Sequence, residues 1–212
     1  FCHEVMEKTG QFIAVISGEE EAKLSAQGVL TGWPGAYGLV CDLGGTSLEL
    51  AEISNGKVGK CASSELGPLK LMDISKKKER LEFIKSELSD LAKSFSPRNN
   101  RLFLVGGSWR ALARIDMERC DHPLRVLHEY RMEKKTIKDL KHFIKDQGLE
   151  NVAKQCSISG NRIMFIPYAI EVLEKLSNIF RSKDIAISSY GIREGMLYEK
   201  MPQMLRDRDP LI

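Results

Sequence analysis

Two apolar runs in this chain each end in a pair of glycines, and no other feature narrows the fold as much. Tyr37 to Asp42 reads as a buried strand ending at Gly44-Gly45, and Leu102 to Val105 as a second ending at Gly106-Gly107. Short apolar runs bounded by turn residues suit strands covered on both faces. After the first diglycine, Leu48, Leu50 and Ile53 alternate, Ser54-Asn55-Gly56-Lys57 supplies a turn, and another strand starts at Val58, which makes a hairpin. After the second, a helix opens near Ser108 and includes Trp109, Leu112 and Ile115.

The remaining signals extend this pattern. Phe12 to Ile16 is apolar and β-branched and reads as a strand running straight into a helix, with Ser17 as N-cap and Glu20 three residues on as a capping box. Leu81, Ile84, Leu88, Leu91 and Phe95 share one helix face, ending before Ser96-Pro97. Ile137, Leu140 and Ile144 mark another helix, Ile163 to Phe180 a longer one, Ile185 to Ser189 a last strand and Gly191 to Met201 a closing helix. Strands and helices in mixed order, with glycine turns at strand ends, predict a single α/β lobe with a mixed sheet flanked by helices.

Composition excludes several classes. The chain has 212 residues, 42% hydrophobic and 29% charged, with a net charge of +3, so it is neither disordered nor fibrous. No apolar run approaches the roughly 20 residues needed to cross a bilayer. Cys2, Cys41, Cys61, Cys120 and Cys156 stand singly without zinc-ligand spacing, which points to a reducing, cytoplasmic setting. The chain opens at Phe1 with no initiator Met, basic n-region or cleavage-site pattern, so a fragment or processed chain is expected.

Three stretches carry polar chemistry. In Asp42-Leu43-Gly44-Gly45-Thr46-Ser47-Leu48-Glu49 a carboxylate at a strand end precedes two glycines and two hydroxyls. Such a loop cradles phosphate through backbone N–H groups, with Asp42 able to hold Mg²⁺ through water and Glu49 to position a water; a plain hairpin bend has the same composition. Glu19-Glu20-Glu21 suits the positive end of a helix dipole as well as acid–base work. Gly106-Gly107-Ser108-Trp109-Arg110 is either a tight turn or an anion site at a helix start. Lys138, Lys141 and Lys145 share a helix face that is either a solvated surface or a track for a long anion. His122, His128 and His142 show no ligand or triad spacing.

Taken in order, Val15 to Lys23, Asp42 to Leu50, Leu104 to Leu112 and Ser189 to Leu197 resemble the exopolyphosphatase and guanosine pentaphosphate phosphohydrolase family, of the actin-like, ribonuclease-H-like superfamily. The resemblance implies that Glu21 is the catalytic glutamate and that Asp42 and Glu49 handle metal and water. It assigns phosphate contacts to Gly44, Gly45, Thr46 and Ser47; Gly106, Gly107 and Arg110, read as N–H groups at a helix start with a nearby arginine, are candidates for a second anion contact. It implies Mg²⁺ as cofactor and release of orthophosphate from polyphosphate or guanosine pentaphosphate, with no membrane or nucleic-acid partner and a homodimeric intact protein. Two features depart from the family pattern. Thr46 stands where the family loop has a third glycine and Leu48 where it has threonine, and no Asp-x-Gly-Ser-Asn-Ser motif is present. The chain is therefore expected to be the second lobe alone, inactive by itself, without a first lobe or a helical region beyond Asp209-Pro210-Leu211. A non-catalytic polyphosphate or alarmone-binding lobe and an actin-like kinase or ATPase are the other readings, and the glutamate-rich first motif weighs against the kinase.

Overall fold

The computed structural model describes residues 1–95 and 101–202. A short helix, α1 (Cys2–Thr9), is joined by a segment without regular structure to α2 (Gly18–Gly32). The Ser17 hydroxyl accepts from the Glu20 N–H at 3.2 Å, satisfying one of the free donors of the first turn. The strand expected over Phe12–Ile16 does not form: no ladder includes it, and Phe12 and Val15 are 80% and 82% exposed. Apolar, β-branched residues make a strand only where a neighbour takes up their N–H and C=O groups, and none lies beside them among the described residues.

Three strands follow as an antiparallel meander, β1 (Gly38–Leu43), β2 (Leu48–Ser54) and β3 (Lys57–Ser64). Asn55 and Gly56, with φ of 50° and 71°, make the tight turn between β2 and β3. Next come α3 (Pro68–Met72), α4 (Lys77–Ala92), β4 (Arg101–Val105) and α5 (Gly107–Arg119). Phe95 packs into the core from the turn after α4, not from the helix, and the Ser96-Pro97 stop lies outside the described residues, as does Asp209-Pro210-Leu211. The rest of the chain forms β5 (Arg131–Glu133), α6 (Thr136–Gln147), α7 (Leu149–Gln155), α8 (Gly160–Ile163), α9 (Ile166–Ile179), β6 (Asp184–Ile187) and α10 (Ile192–Lys200).

The single helix expected from Ile163 to Phe180 is instead two pieces. Pro167 lacks an N–H and its ring clashes with a carbonyl one turn back, so it sits in the first turn of α9 rather than in a helix interior. No signal in the sequence marked α1, α3, α7 or the three-residue β5, whose only buried side chain is Met132. Among the described residues no helix is long and apolar enough to cross a membrane, and all five cysteines are free thiols.

The sheet runs β3-β2-β1-β4-β6-β5, with β1, β4 and β6 parallel and the others antiparallel to their neighbours. Because side chains alternate across a strand, Leu39, Cys41, Leu48, Leu50, Leu102 and Leu104 enter the large core on one face. Helices α4, α5 and α9 cover that face through residues such as Ile84, Leu112 and Leu173. Val40, Ala51, Ile53, Phe103 and Ala186 face the other way, under Ala22, Ala26 and Val29 of α2. The site described next lies on the α2 face, at the carboxyl ends of the parallel strands, where α/β sheets open a crevice.

Candidate active site

Alternation along the meander puts Asp42 and Glu49 on the face of Val40 and Ala51 rather than in the large core. The two carboxylates are direct cross-strand partners, and Glu49 is in turn paired with Ser63 on β3. The start of α2 lies over this row, with Gly18 packed against Ser63. Glu21 and Ser25 stand one helical turn apart, on the same side of α2. The Ser25 hydroxyl donates to Asp42 Oδ2, and the Ser63 hydroxyl donates to Glu49 Oε1 at 3.0 Å. Glu49 Oε2 is buried with no partner among the described residues.

Electrostatics follow from this crowding. Burial pushes the Glu49 carboxyl up to about 7, the charges of Glu21 and Asp42 push the same way, and the Ser47 and Ser63 hydroxyls oppose them. Burial and the Asp42 charge raise Glu21. Asp42 is also raised by burial, against the Ser25 hydrogen bond and the nearby Arg110 guanidinium. Three neighbouring carboxyl groups that resist ionisation are suited to holding a proton.

The first diglycine closes the β1–β2 hairpin. Gly44 N–H donates to Ser47 C=O at 3.0 Å, so this amide belongs to the turn and does not serve a phosphate nest as expected. The amides of Gly45, Thr46 and Ser47 donate to no acceptor among the described residues, which leaves three donors at the loop surface. The segment before α3 braces the loop from behind, with Gly67 N–H to Thr46 C=O at 3.0 Å and Leu69 N–H to Gly45 C=O at 2.9 Å. A methyl group added at Gly44 would meet nothing closer than Ser47 Oγ at 3.5 Å, and neither Gly44 nor Gly45 has a positive φ. Nothing among the described residues requires glycine at position 44. Thr46 is exposed at the turn, and Leu48 is fully buried and serves the core.

The second diglycine brings β4 and α5 to the same place. Gly106 has φ +115°, and a methyl there would stand 2.7 Å from Leu43 O and 3.2 Å from Asp42 Oδ1. Only glycine allows this crossing, which aims the start of α5 and Arg110 at Asp42. A cleft of about 210 Å³ opens there between Asp42, Gly106, Arg110, Ser189, Gly191 and Glu194. Glu194 accepts from Gly191 N–H at 2.8 Å and so fixes the start of α10. Gly107 faces a neighbouring pocket rather than this cleft.

The expected site residues Glu21, Asp42, Glu49, Gly106 and Arg110 thus converge, with the Gly44–Ser47 loop at the adjoining strand ends. Sequence reasoning did not single out Ser25 and Ser63. Ser25 was within reach, four residues after Glu21, but Ser63 needed the strand register. The lysine face expected on α6 is not a free row, because Lys141 pairs with Glu174 of α9 at 2.6 Å. Among the described residues no three His, Cys, Asp or Glu side chains lie close enough together to hold a metal ion. A cation here would draw on one or two carboxylates, water and phosphate oxygens, a set that suits Mg²⁺.

The model of the Ppx/GppA phosphatase family matches residues 1–204. The chain belongs to that family. Among solved structures, the Aquifex aeolicus PPX-GPPA enzyme superposes with a TM-score of 0.76 at 24% identity, over 92% of this chain and 68% of that one. A Cytophaga hutchinsonii exopolyphosphatase gives a TM-score of 0.81 at 20% identity, over 93% and 68%. Family members therefore share this mixed α/β lobe, which has the actin-like fold.

Proposed function

We propose that this chain carries the phosphate-handling wall of a Mg²⁺-dependent hydrolase that releases orthophosphate from the end of polyphosphate or from guanosine pentaphosphate. Membership of a phosphatase family supports phosphate-ester or anhydride hydrolysis in general. The observation that carries the finer reading is the convergence of Glu21, Asp42 and Glu49, with raised pKa values, beside a turn with three uncommitted amides.

Each group has a role that its environment favours. The Gly45, Thr46 and Ser47 amides hold the terminal phosphate, and Arg110 adds positive charge. Glu21 accepts a proton from the attacking water, a task helped by its raised affinity for protons. Glu49, held by Ser63 through Oε1, offers Oε2 to orient that water. Asp42, anchored by Ser25, would hold the cation, and Mg²⁺ when bound would offset negative charge on the phosphate oxygens. Phosphoryl transfer needs positioning and charge neutralisation more than covalent help, and these side chains supply both.

The test is phosphate release by the protein expressed from its complete reading frame, with polyphosphate, guanosine pentaphosphate and ATP compared side by side in Mg²⁺. Release from either of the first two supports the reading. Hydrolysis of ATP alone replaces it with an actin-like ATPase, and binding without release replaces it with a non-catalytic lobe.

A further inference from the structure

His128 takes no part in the site described above, yet elements around that site meet at its ring. Its imidazole lies 4.4 Å, centroid to centroid, from the indole of Trp33 at the end of α2 and 4.7 Å from the ring of Tyr190 in the loop between β6 and α10. Trp33 in turn packs on the buried Phe103 of β4 at 5.2 Å, which ties the indole to the sheet. A methyl at Gly32 would stand 2.7 Å from Tyr190 Cδ2 and 2.8 Å from His128 Cε1, so the bare end of α2 makes room for both rings. Ser189 N–H donates to His128 Nδ1 at 3.4 Å. The segment that carries the histidine is pinned to β6 by Glu129 N–H to Ile187 C=O at 3.0 Å and by Ile187 N–H to Tyr130 C=O at 2.9 Å. Glu129 holds a left-handed φ of 67°, which a residue with a side chain keeps only where its surroundings enforce it.

The loop held in this way borders the Asp42 cleft, which Ser189 and Gly191 line. The Ser188 hydroxyl accepts from Tyr190 N–H at 3.1 Å and donates to Tyr190 C=O at 2.7 Å, so the loop is a tight turn that shifts as a unit. An Nδ1 that accepts a hydrogen bond carries no proton, so the neutral ring holds its proton at Nε2. A second proton would remove the acceptor and set N–H against N–H. Burial opposes that proton and lowers the His128 pKa from its ordinary 6.5, while the charge of Glu129 works the other way. The contacts from α2 and from the loop are Gly32, Trp33, Ser189 and Tyr190, none of them charged. We propose that His128 is a positioning residue: its neutral ring clasps the end of α2 to the β6–α10 loop and so sets Ser189 and Gly191 at the edge of the Asp42 cleft, and protonation of the ring opens the clasp. Its effect on turnover rests on the hydrolase reading above; the clasp itself does not.

Hydrogen exchange, Trp33 fluorescence and phosphate release test it on wild type, on His128→Phe, which keeps a stacking ring without an acceptor, and on His128→Asn, which keeps an acceptor near the Nδ1 position but cannot be protonated. His128 is only half-buried, so both variants should fold, and the fluorescence step is read on wild type in any case. With the wild-type ring neutral, the Ser189–Gly191 amides should exchange about three- to tenfold faster in His128→Phe, and His128→Asn should lie closer to wild type than to His128→Phe. The fluorescence component that Trp33→Phe removes should show one step below pH 6.5 in wild type, and neither His128 variant should show it. In phosphate release at the same pH, kcat of His128→Phe should fall about threefold or more while KM stays within about twofold, and asparagine should restore most of the loss. Exchange in His128→Phe equal to wild type, no Trp33 step in wild type, or asparagine no better than phenylalanine overturns the clasp and leaves the hydrolase reading standing. Faster exchange with unchanged kcat overturns the positioning role. The expected exchange and fluorescence in a protein that releases no phosphate support the clasp while removing the hydrolase reading.

Discussion

Glu21 sits in the first turn of a helix, where an acidic residue already has a reason to be, and its neighbours separate that reason from catalysis. Its two predecessors, Glu19 and Glu20, also face the positive end of the dipole; burial and the Asp42 charge raise the proton affinity of Glu21. Glu21→Gln keeps the size and helix propensity and removes the proposed base, so turnover should fall about 10²–10⁴-fold. The melting temperature should stay level or rise, because one negative charge leaves a crowded group. Phosphate release and thermal melting on the same preparations check both. Near-normal turnover would reduce Glu21 to helix-end electrostatics. At this scale, Glu21, Asp42 and Glu49 were legible in their motifs, but their shared environment was not. The hydroxyls that anchor two of them come from Ser25 on α2 and Ser63 on β3, and the sequence does not mark Ser63 at all.

Between elements, the position of α2 depends on its contact with α10, where backbone meets backbone. A methyl at Gly195 would lie 1.9 Å from Leu24 O, and one at Gly28 would lie 2.1 Å from Gly191 O. Because α2 carries Glu21 and Ser25, separating the two helices also moves the site. Gly195→Ala should cost about 1–3 kcal/mol or more and reduce turnover further than stability alone predicts. Gly160→Ala, where an added methyl meets nothing within 4 Å, is the matched control and should leave the urea midpoint nearly unchanged. Local signals specified the start of α2 well, since a hydroxyl cap acts over three residues. They misjudged Phe12–Ile16 because strand formation needs a partner that composition does not reveal, and they ran α8 and α9 together by following apolar periodicity through Pro167.

For the whole molecule, the three raised carboxyls act in one direction on stability. Glu49 has an ordinary value of 4.5 and is pushed up to about 7, so between these limits the folded protein holds a proton that the unfolded chain has released. Its protonated form favours folding fully below the lower value, and that contribution is lost as pH rises through about 7; Glu21 and Asp42 shift in the same sense. In chelator-containing buffer, wild type should therefore lose more melting temperature than Glu49→Gln between about pH 5 and about pH 8, and Mg²⁺ should restore part of the loss at the higher pH. Parallel melting curves for the two proteins would show that Glu49 ionises freely in the fold. Short-range physics in the sequence was enough to set the hairpin, the glycine turns, the cap at Ser17 and the strand alternation that keeps Asp42 and Glu49 out of the large core. Periodicity, capping and turn chemistry each act over a few residues, so they can be read from the chain. The tertiary structure alone decided that α2, the β1–β3 meander and the β4–α5 turn meet at one point, and that His128 lies against Trp33 at the end of α2 and Tyr190 beside the cleft. Those outcomes depend on sheet order and on desolvation by residues distant in the chain, and neither is a property of any local stretch.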